Sequence, residues 1–425
     1  MTEKTIPVPS FSSSYFELHL SNLKTGGNIR RFRLAHMKEE DGALVCAEGL
    51  TLRYTPTFVF DKMSVIPGDI MLGNGDGRRQ YLVVSERAVN GPKNMQFAMY
   101  YYDTENVRGT FIICAEHVAY IHGGAYNYYN YIGGTCAALY NDRFFFGKGQ
   151  RLYYGIPMIY KSWDYGARGC GYLDFVGDGG NIVGLEPFRD KIYIFREREI
   201  CVLEVGADPL EFKLKKIPFV YGNILAKSVA NSSEAIYFLT DQGLCAIDNA
   251  GKCIRIENAD EREIDFSEPV SGVYFKHGYY ASVCLKSGER VAYCYDVRHQ
   301  MGRYIFQVCE LIGANETLYF ASQQNIYELC GKALPDWGEC ALTIEFSLGQ
   351  DPEKTALDWI VVTGVGELNY TLESAEGGQV TGKGVCGKRM RLSRILRGDT
   401  FRLKLVPKDE GFQFRSVKFG IGRAA

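Results

Sequence analysis

The sequence lacks paired-cysteine motifs, long apolar runs and a strong excess of one charge. Its 13 cysteines are scattered singly, without a C-x-x-C pair, which predicts reduced thiols packed as small hydrophobes in a reducing compartment. No apolar run approaches the roughly 18 residues that a membrane-spanning helix needs, and the N-terminus shows no signal-peptide pattern. The formal net charge of −2 gives the whole chain no overall attraction to nucleic acid or to a membrane surface. We therefore expect a soluble protein.

Motifs for catalysis, phosphate binding and metal binding are also missing. The six histidines form neither H-x-x-x-H nor H-E-x-x-H, and no G-x-S-x-G elbow occurs. The GKG sequence at 147–149 lacks the P-loop spacing and a following helix, so it is interpreted as the turn of a hairpin. We predict no catalytic residue, no cofactor, no metal and no small-molecule substrate, and hence a protein that is not an enzyme.

Two groups of residues leave weaker alternatives open. Asp164, Asp174 and Asp178 lie close in sequence and would suit glycoside hydrolysis if two carboxylates came within about 5–10 Å, but they equally suit turns between strands. His117 and His122 flank a predicted strand end, where they are either a metal-ligand pair or ordinary loop residues.

The sequence is instead rich in aromatic residues, with 29 Tyr and 25 Phe, which favour β-structure. Five segments repeat one pattern of apolar strand, polar turn and aromatic strand at spacings of about 40–48 residues, the size of a four-stranded propeller blade. Residues 58–122 supply a sixth, divergent unit. The central aromatics of the five segments are Phe145, Tyr193, Tyr237, Tyr280 and Tyr319.

The pattern predicts an all-β protein: a β-propeller of about six blades followed by a small antiparallel β-sandwich. We place the propeller at residues 58–345 and the sandwich at 346–425, where longer alternating strands follow a DPEK turn. Residues 1–57 are predicted to be an N-terminal arm or strand that contributes to the propeller.

A tyrosine-rich segment, GGAYNYYNYIGG at 123–134, is the first predicted contact surface. Its four tyrosines are bracketed by glycine pairs, and exposed tyrosine clusters suit contacts with proteins or sugars. The alternative interpretation is a strand between blades. The tyrosines are Tyr126, Tyr128, Tyr129 and Tyr131.

The second predicted contact surface is basic. From residue 380 to 425 there are 12 Lys and Arg against 3 Asp and Glu, and alternation within KRMRLSRILR predicts several arginines on one strand face. Such a row suits an acidic partner or a phosphate backbone, although a plain solvated sheet face fits equally well. The candidate contact residues are Arg391, Arg394 and Arg397.

The order of these features resembles phage head-to-tail and tail hub or nozzle proteins. The similarity is carried by ALYNDRFFFGKGQRLYYGIPMIYKSWDYG, by the following GDGGNIVGLEPFRDKIYIFREREICVLEVG, and by KTALDWIVVTG, KRMRLSRILRGDTFRLKL and FQFRSVKFGIG in the C-terminal part. It covers about residues 135–240 and 340–425. The middle repeats and the first 55 residues match no known pattern.

The resemblance implies a structural role in a virion that is assembled in the bacterial host cytoplasm. Its partners would be other virion proteins or further copies of this chain in a ring, and a contact between the basic segment and DNA is a further expectation. The family brings no catalytic residues to this sequence. The alternative that remains open is a carbohydrate-binding or glycan-processing β-propeller.

Overall fold

The fold is nearly all β in the computed structural model, and the described residues form 39 strands, numbered here in chain order, and one 3₁₀ turn, Pro209–Glu211. The chain divides into two compact units. The terminal unit comprises residues 1–50, 299–306 and 330–425, and the repeat unit comprises 51–298 and 307–329. The structure describes residues 15–19, 29–35, 37–46, 49–57, 59–66, 69–74, 79–90, 95–102, 108–114, 118–122, 125–129, 133–157, 169–256, 263–305, 311–322, 325–330, 340–348, 355–409 and 411–423.

The terminal unit is built from two sheets. Its strands are β1 Tyr15–His19, β2 Ile29–Ala35, β3 Met37–Glu40, β4 Ala43–Cys46, β29 Met301–Ile305, β33 Ala341–Ser347, β34 Thr355–Val365, β35 Glu367–Ser374, β36 Gln379–Val385, β37 Arg389–Arg397, β38 Thr400–Pro407 and β39 Gln413–Arg423. One sheet has the order β3–β4–β39–β34–β37, with β1 also on β39, and the other contains β29–β2–β33–β38–β35–β36. One apolar core joins them, in which the Phe346 ring lies 4.6 Å from that of Phe419.

The N-terminal strands belong to this same core. Strand β1 pairs antiparallel with β39 and β2 with β33. Phe16 and Leu18 alternate with polar neighbours along β1 and are buried, as a half-buried strand requires. The structure thus groups the described strands β1–β4 with the C-terminal strands. The strand Gly49–Tyr54, also within the predicted N-terminal segment, pairs instead with a sheet of the repeat unit.

The repeat unit contains seven antiparallel sheets in the described residues. Its strands are β5 Gly49–Tyr54, β6 Lys62–Ile66, β7 Asp69–Gly73, β8 Arg79–Leu82, β9 Arg87–Asn90, β10 Met95–Tyr102, β11 Arg108–Cys114, β12 Val118–His122, β13 Ala125–Tyr129, β14 Cys136–Tyr140, β15 Arg143–Lys148, β16 Arg151–Tyr154, β17 Gly171–Asp174, β18 Ile182–Phe188, β19 Lys191–Arg196, β20 Glu199–Glu204, β21 Lys213–Ile217, β22 Ala230–Asn231, β23 Ile236–Thr240, β24 Gly243–Ile247, β25 Cys253–Arg255, β26 Ser271–Phe275, β27 Gly278–Cys284, β28 Arg290–Asp296, β30 Leu311–Ala314, β31 Leu318–Ser322 and β32 Asn325–Cys330. The sheets are β6–β9, β10–β13, β14–β17, β18–β21, β22–β25, β26–β28, and β30–β32 with β5 beside β32.

The predicted repeat is confirmed at the level of its strands. Each of the five aligned aromatics lies on the second strand of one sheet, in five consecutive sheets: Phe145 on β15, Tyr193 on β19, Tyr237 on β23, Tyr280 on β27 and Tyr319 on β31. The predicted count of about six units is not confirmed. Residues 58–122 are predicted to be one divergent unit, but they contain all of β6–β9 and most of β10–β13. This segment therefore belongs to two sheets.

Alternate side chains of a second strand serve two neighbouring sheets. On β19, Ile192 and Ile194 pack in one core cluster with Phe145 of the preceding sheet. Phe195 faces the other way, and its ring lies 5.1 Å from that of Phe238 in the following sheet. Because both faces are covered, these strands have continuous apolar sequences rather than alternating ones.

The stretch YNDRFFFGKGQRLYYG forms two consecutive hairpin turns, as predicted. Asn141 and Asp142 both have positive φ, 48° and 55°, as the two central residues of a type I′ turn do. At the other end, Gly149 has φ 58° between β15 and β16. The GKG sequence is therefore part of a hairpin.

Arg143, the third residue of NDR, has a buried guanidinium group that is hydrogen-bonded to several loops. Its guanidinium donates hydrogen bonds to the carbonyl oxygens of Gly155 at 2.6 Å, of Ala207 at 3.1 Å and of Gly169. The Phe212 ring lies 5.5 Å from the guanidinium carbon. Burial is the main cause that lowers the pKa of Arg143. The side chain thus joins loops from two neighbouring sheets.

We predict that Arg143→Met destabilises the protein by about 3–5 kcal/mol, because it leaves buried carbonyl groups without a donor. The matched control is Arg151→Met on the same hairpin. Arg151 lies at the surface and is paired with Asp174, so its loss should lower stability much less than the loss of Arg143. Urea unfolding followed by tryptophan fluorescence measures both, and equal stability of the two variants would contradict the role assigned to Arg143.

Candidate functional site

The basic row on β37 is exposed. Arg391, Arg394 and Arg397 make no ion pair with any residue that the structure describes, and β37 lies at the end of its sheet order. Arg389 differs, because its guanidinium lies over the Trp359 ring at 4.5 Å from the centroid. The structure therefore places all three predicted arginines on one accessible edge strand.

The predicted alternation holds on only part of this strand. Met390 and Leu396 are buried, and Arg391 and Arg397 point outward between such positions. Between them the pairing with β34 shifts at an irregularity, so Arg394 projects from a bulge instead of from the regular face. Bulges re-aim side chains, and here Ile395 is exposed as well.

Other cations of the basic segment face acidic neighbours. Arg402 on β38 lies directly opposite Glu345 of β33 and Glu373 of β35 in the strand register. Opposite charges in cross-strand pairs offset each other. Part of the positive charge of the segment is thus balanced outside β37, since Lys408 and Lys418 also lie within 4 Å of the carboxylates of Glu367 and Glu17.

The tyrosine-rich segment lies only partly in the described chain. Tyr126, Tyr128 and Tyr129 are on β13, the last strand of its sheet, which pairs with β12. Tyr131 lies outside the described residues. The strand interpretation is therefore confirmed for residues 125–129, and contact by the tyrosine side chains stays a prediction.

The acidic group at 164–178 offers no catalytic pair in the described residues. Asp174 accepts two hydrogen bonds from the Arg151 guanidinium, at 2.5 and 3.0 Å, and these bonds lower the pKa of Asp174. Asp178 lies in an exposed turn whose backbone carbonyl accepts from Arg198. Asp164 and His117 lie outside the described residues, and no cluster of metal-ligating side chains occurs in the part that is described.

A cavity of about 330 Å³ lies within the repeat unit, and we call it the first-strand cavity. Its wall is formed by the first strands of six of the seven sheets and the residues just before them. The lining residues are Lys62, Met63, Thr135, Cys136, Ala137, Val183, Gly184, Leu185, Glu186, Lys227, Val229, Ser271, Gly272, Leu311 and Ile312. This volume is at the lower end of the range of small-molecule sites.

Glu186 is the acidic group of this cavity. It sits in the middle of β18, and its carboxylate accepts a 2.6 Å hydrogen bond from the side-chain amide of Asn231. Glu186 is half-buried and lines the cavity. Burial raises the pKa of Glu186 to about 8, and the hydrogen bond from Asn231 opposes this increase. Burial therefore favours the protonated carboxyl group.

Two lysines form the basic part of the wall, near the starts of β6 and β22. Lys227 has a left-handed backbone, with φ 64°, which an unbranched L-residue adopts only at some cost. Burial lowers the pKa of Lys227, the neighbouring ammonium of Lys62 lowers it further, and Asp61 offsets part of this effect. Lys227 lies in an exposed turn, and both lysines line the same cavity.

Sequence reasoning missed these three residues, although a signal was present for two of them. Glu186 is the single charge of the stretch NIVGLEPF and Lys227 that of NILAKSVA, whereas Lys62 directly follows Asp61 in DKMSVI. A charge in an otherwise apolar stretch requires a special environment when that stretch is buried. Searching each repeat for such isolated charges would have indicated Glu186 and Lys227, but not Lys62.

Comparisons with known proteins show no family. No protein-family model matches the sequence, and no curated protein matches it. No helix in the described part of the chain has the length and apolarity that a membrane crossing requires.

Some solved structures are similar to the chain. PorZ, a surface component of the type-IX secretion system of Porphyromonas gingivalis, is 10% identical over 82% of this chain and 58% of its own, with a TM-score of 0.44. The extracellular domain of BT4673 from B. thetaiotaomicron is 10% identical, with 91% and 62% covered and a TM-score of 0.46. The WD40 domain of Neurospora crassa Pan2 is 9% identical, with 72% and 100% covered and a TM-score of 0.42. The chain spans about three fifths of the length of the first two structures.

We predict that Glu186 makes the protein less stable as pH rises from about 4.5 to about 8. Its folded-state pKa of about 8 exceeds the ordinary 4.5, so in this window the folded chain keeps a proton that the unfolded chain has lost. Glu186→Gln, which imitates the protonated form, should remove about 2–4 kcal/mol of this pH dependence. The control is Glu234→Gln at an exposed position. Urea unfolding at pH 5 and pH 8 measures the difference, and an identical pH dependence in wild type and Glu186→Gln would contradict the prediction.

Proposed function

We propose that this chain is a non-enzymatic structural protein of a phage or prophage virion, part of the head-to-tail or tail hub and nozzle assembly. The observation that carries a structural contact role is the row of three exposed arginines on edge strand β37, which lack ion pairs among the described residues. The sequence resemblance supports the virion role. Its two regions contain the hairpin that begins at Asn141–Arg143 and the strands β34, β37, β38 and β39.

We further propose that the seven sheets of the repeat unit are the blades of a closed propeller. Strand β30 of the last sheet contacts β6 of the first. A Cβ at Gly313 would lie only 2.7 Å from Val65, so the two strands approach closely there. Ile70 and Leu72 share a core cluster with Ala321 and Ile326. Placing β5 beside β32 completes the last sheet with an N-terminal strand, and closure of this kind removes sheet edges.

The arginine row determines the kind of partner that we propose. An edge strand offers unpaired backbone groups and, here, three guanidinium groups that can bind carboxylates in a bidentate manner. Arginine is enriched at protein interfaces, and its charge directs association with an acidic surface. The proposed partner is therefore an acidic surface of a neighbouring virion protein.

The test compares two triple charge reversals. We expect Arg391→Glu/Arg394→Glu/Arg397→Glu to reduce incorporation of the chain into virions at least about tenfold, because like charges would then oppose docking. The matched control is Lys213→Glu/Lys252→Glu/Arg255→Glu, three exposed cations on or directly before outer strands of the repeat unit, which changes net charge by the same amount. Tagged chains are expressed while particles assemble in the host, and the tag is quantified in purified particles.

The outcomes separate the two parts of the proposal. Absence of the wild-type tag from purified particles would contradict the virion role. Presence of the arginine variant at the wild-type level would contradict the contact surface while leaving the virion role in place. Thermal unfolding of both variants checks that each is folded before incorporation is compared.

A further inference from the structure

The first-strand cavity combines positive charge, apolar surface and an unsatisfied hydroxyl. Lys62 and Lys227 supply the charge, and Leu185, Val229 and Ile312 are among the apolar side chains of the wall. The Ser271 hydroxyl oxygen is buried and has no hydrogen-bond partner among the described residues. These groups come from strands far apart in sequence that meet only at this cavity.

The polar groups of the cavity lie at different positions along the strands that form its wall. Lys62 and Ser271 are the first residues of β6 and β26, and Lys227 precedes β22. On β18 the lining runs from Val183 to Glu186, which is about 10 Å along an extended strand. The cations and the free hydroxyl therefore lie at strand starts, and Glu186 lies further along its strand.

The electrostatics of the cavity favour an anion. The two ammonium groups repel each other, as the effect of Lys62 on the pKa of Lys227 indicates, and Asp61 offsets only part of that repulsion. An anion near both lysines would relieve it. Glu186 lies further along its strand than the lysines do, and burial, which raises its pKa, favours the protonated form that does not oppose such an anion.

The shape and the apolar wall select the kind of anion. A free inorganic anion would leave the apolar side chains along the cavity without contact, whereas pockets bind organic molecules mainly through such surface with a few polar groups for orientation. We propose that the first-strand cavity binds a small organic carboxylate, whose carboxylate group contacts Lys62, Lys227 and the Ser271 hydroxyl and whose hydrocarbon part packs on Leu185, Val229 and Ile312.

The test uses hexanoate as the probe for the full chain at pH 7, with isothermal titration calorimetry. We expect saturable binding by wild type at concentrations below about 10 mM. Lys62→Gln/Lys227→Gln should weaken binding at least tenfold, and Ser271→Ala should weaken it several-fold. The matched control is Lys276→Gln, another lysine with positive φ, at 53°, but on an exposed turn outside the cavity. It should bind hexanoate as wild type does.

A replacement variant and two comparison ligands complete the test. If the double variant does not fold, Lys227→Asn replaces it, because asparagine tolerates the left-handed backbone, and the same loss is expected. The comparison ligands are 1-hexanol, which lacks the charge, and inorganic phosphate, which lacks the apolar part, and both should bind at least tenfold more weakly than hexanoate. Absence of hexanoate binding, equal binding by the lysine variants, or phosphate binding as tight as hexanoate binding would each overturn the proposal.

Discussion

The constraint on which the repeat unit depends is that each of its inner sheets is covered on both faces by neighbouring sheets. A strand such as β19 sends Ile194 to one neighbour and Phe195 to the other, so neither face tolerates a polar side chain without a partner. Burying each such aromatic or aliphatic side chain contributes about 1.5–3 kcal/mol. The packing of one sheet therefore sets the side chains allowed on the next, and the same pattern recurs along the chain.

Charged residues of the repeat unit differ in how completely their hydrogen-bonding groups are used. The Arg196 guanidinium is buried and donates to the Glu199 carboxylate at 2.9 Å and to the Gly180 carbonyl at 3.0 Å, so its bonding capacity is largely used within the fold. Glu186 and Lys227 have fewer bonds and face a cavity. A buried charge whose hydrogen-bond donors or acceptors are all used stabilises a single arrangement of loops. A charged group with unused donors or acceptors can still bind a ligand.

Much of the fold could be predicted from the sequence because its signals are local. The turn at Asn141–Asp142, the hairpin at Gly149 and the aromatic second strands each depend on a few adjacent residues. The number of sheets was harder to predict from the sequence, since the segment 58–122 shows the repeat only weakly. The exposed arginines of β37 were predicted, but the bulge that turns Arg394 outward depends on pairing with β34 and was not.

The sequence alone determined the β-class, the repeat and the apolar character of the second strands, because these follow from side-chain chemistry and from short apolar runs that recur between turns. Only the tertiary structure decided which strands share a sheet. Pairing β1 with β39 joins residues about 400 positions apart, and no local pattern specifies that contact. The first-strand cavity has the same origin, because only long-range packing brings the strands of Lys62, Lys227 and Ser271 around one space.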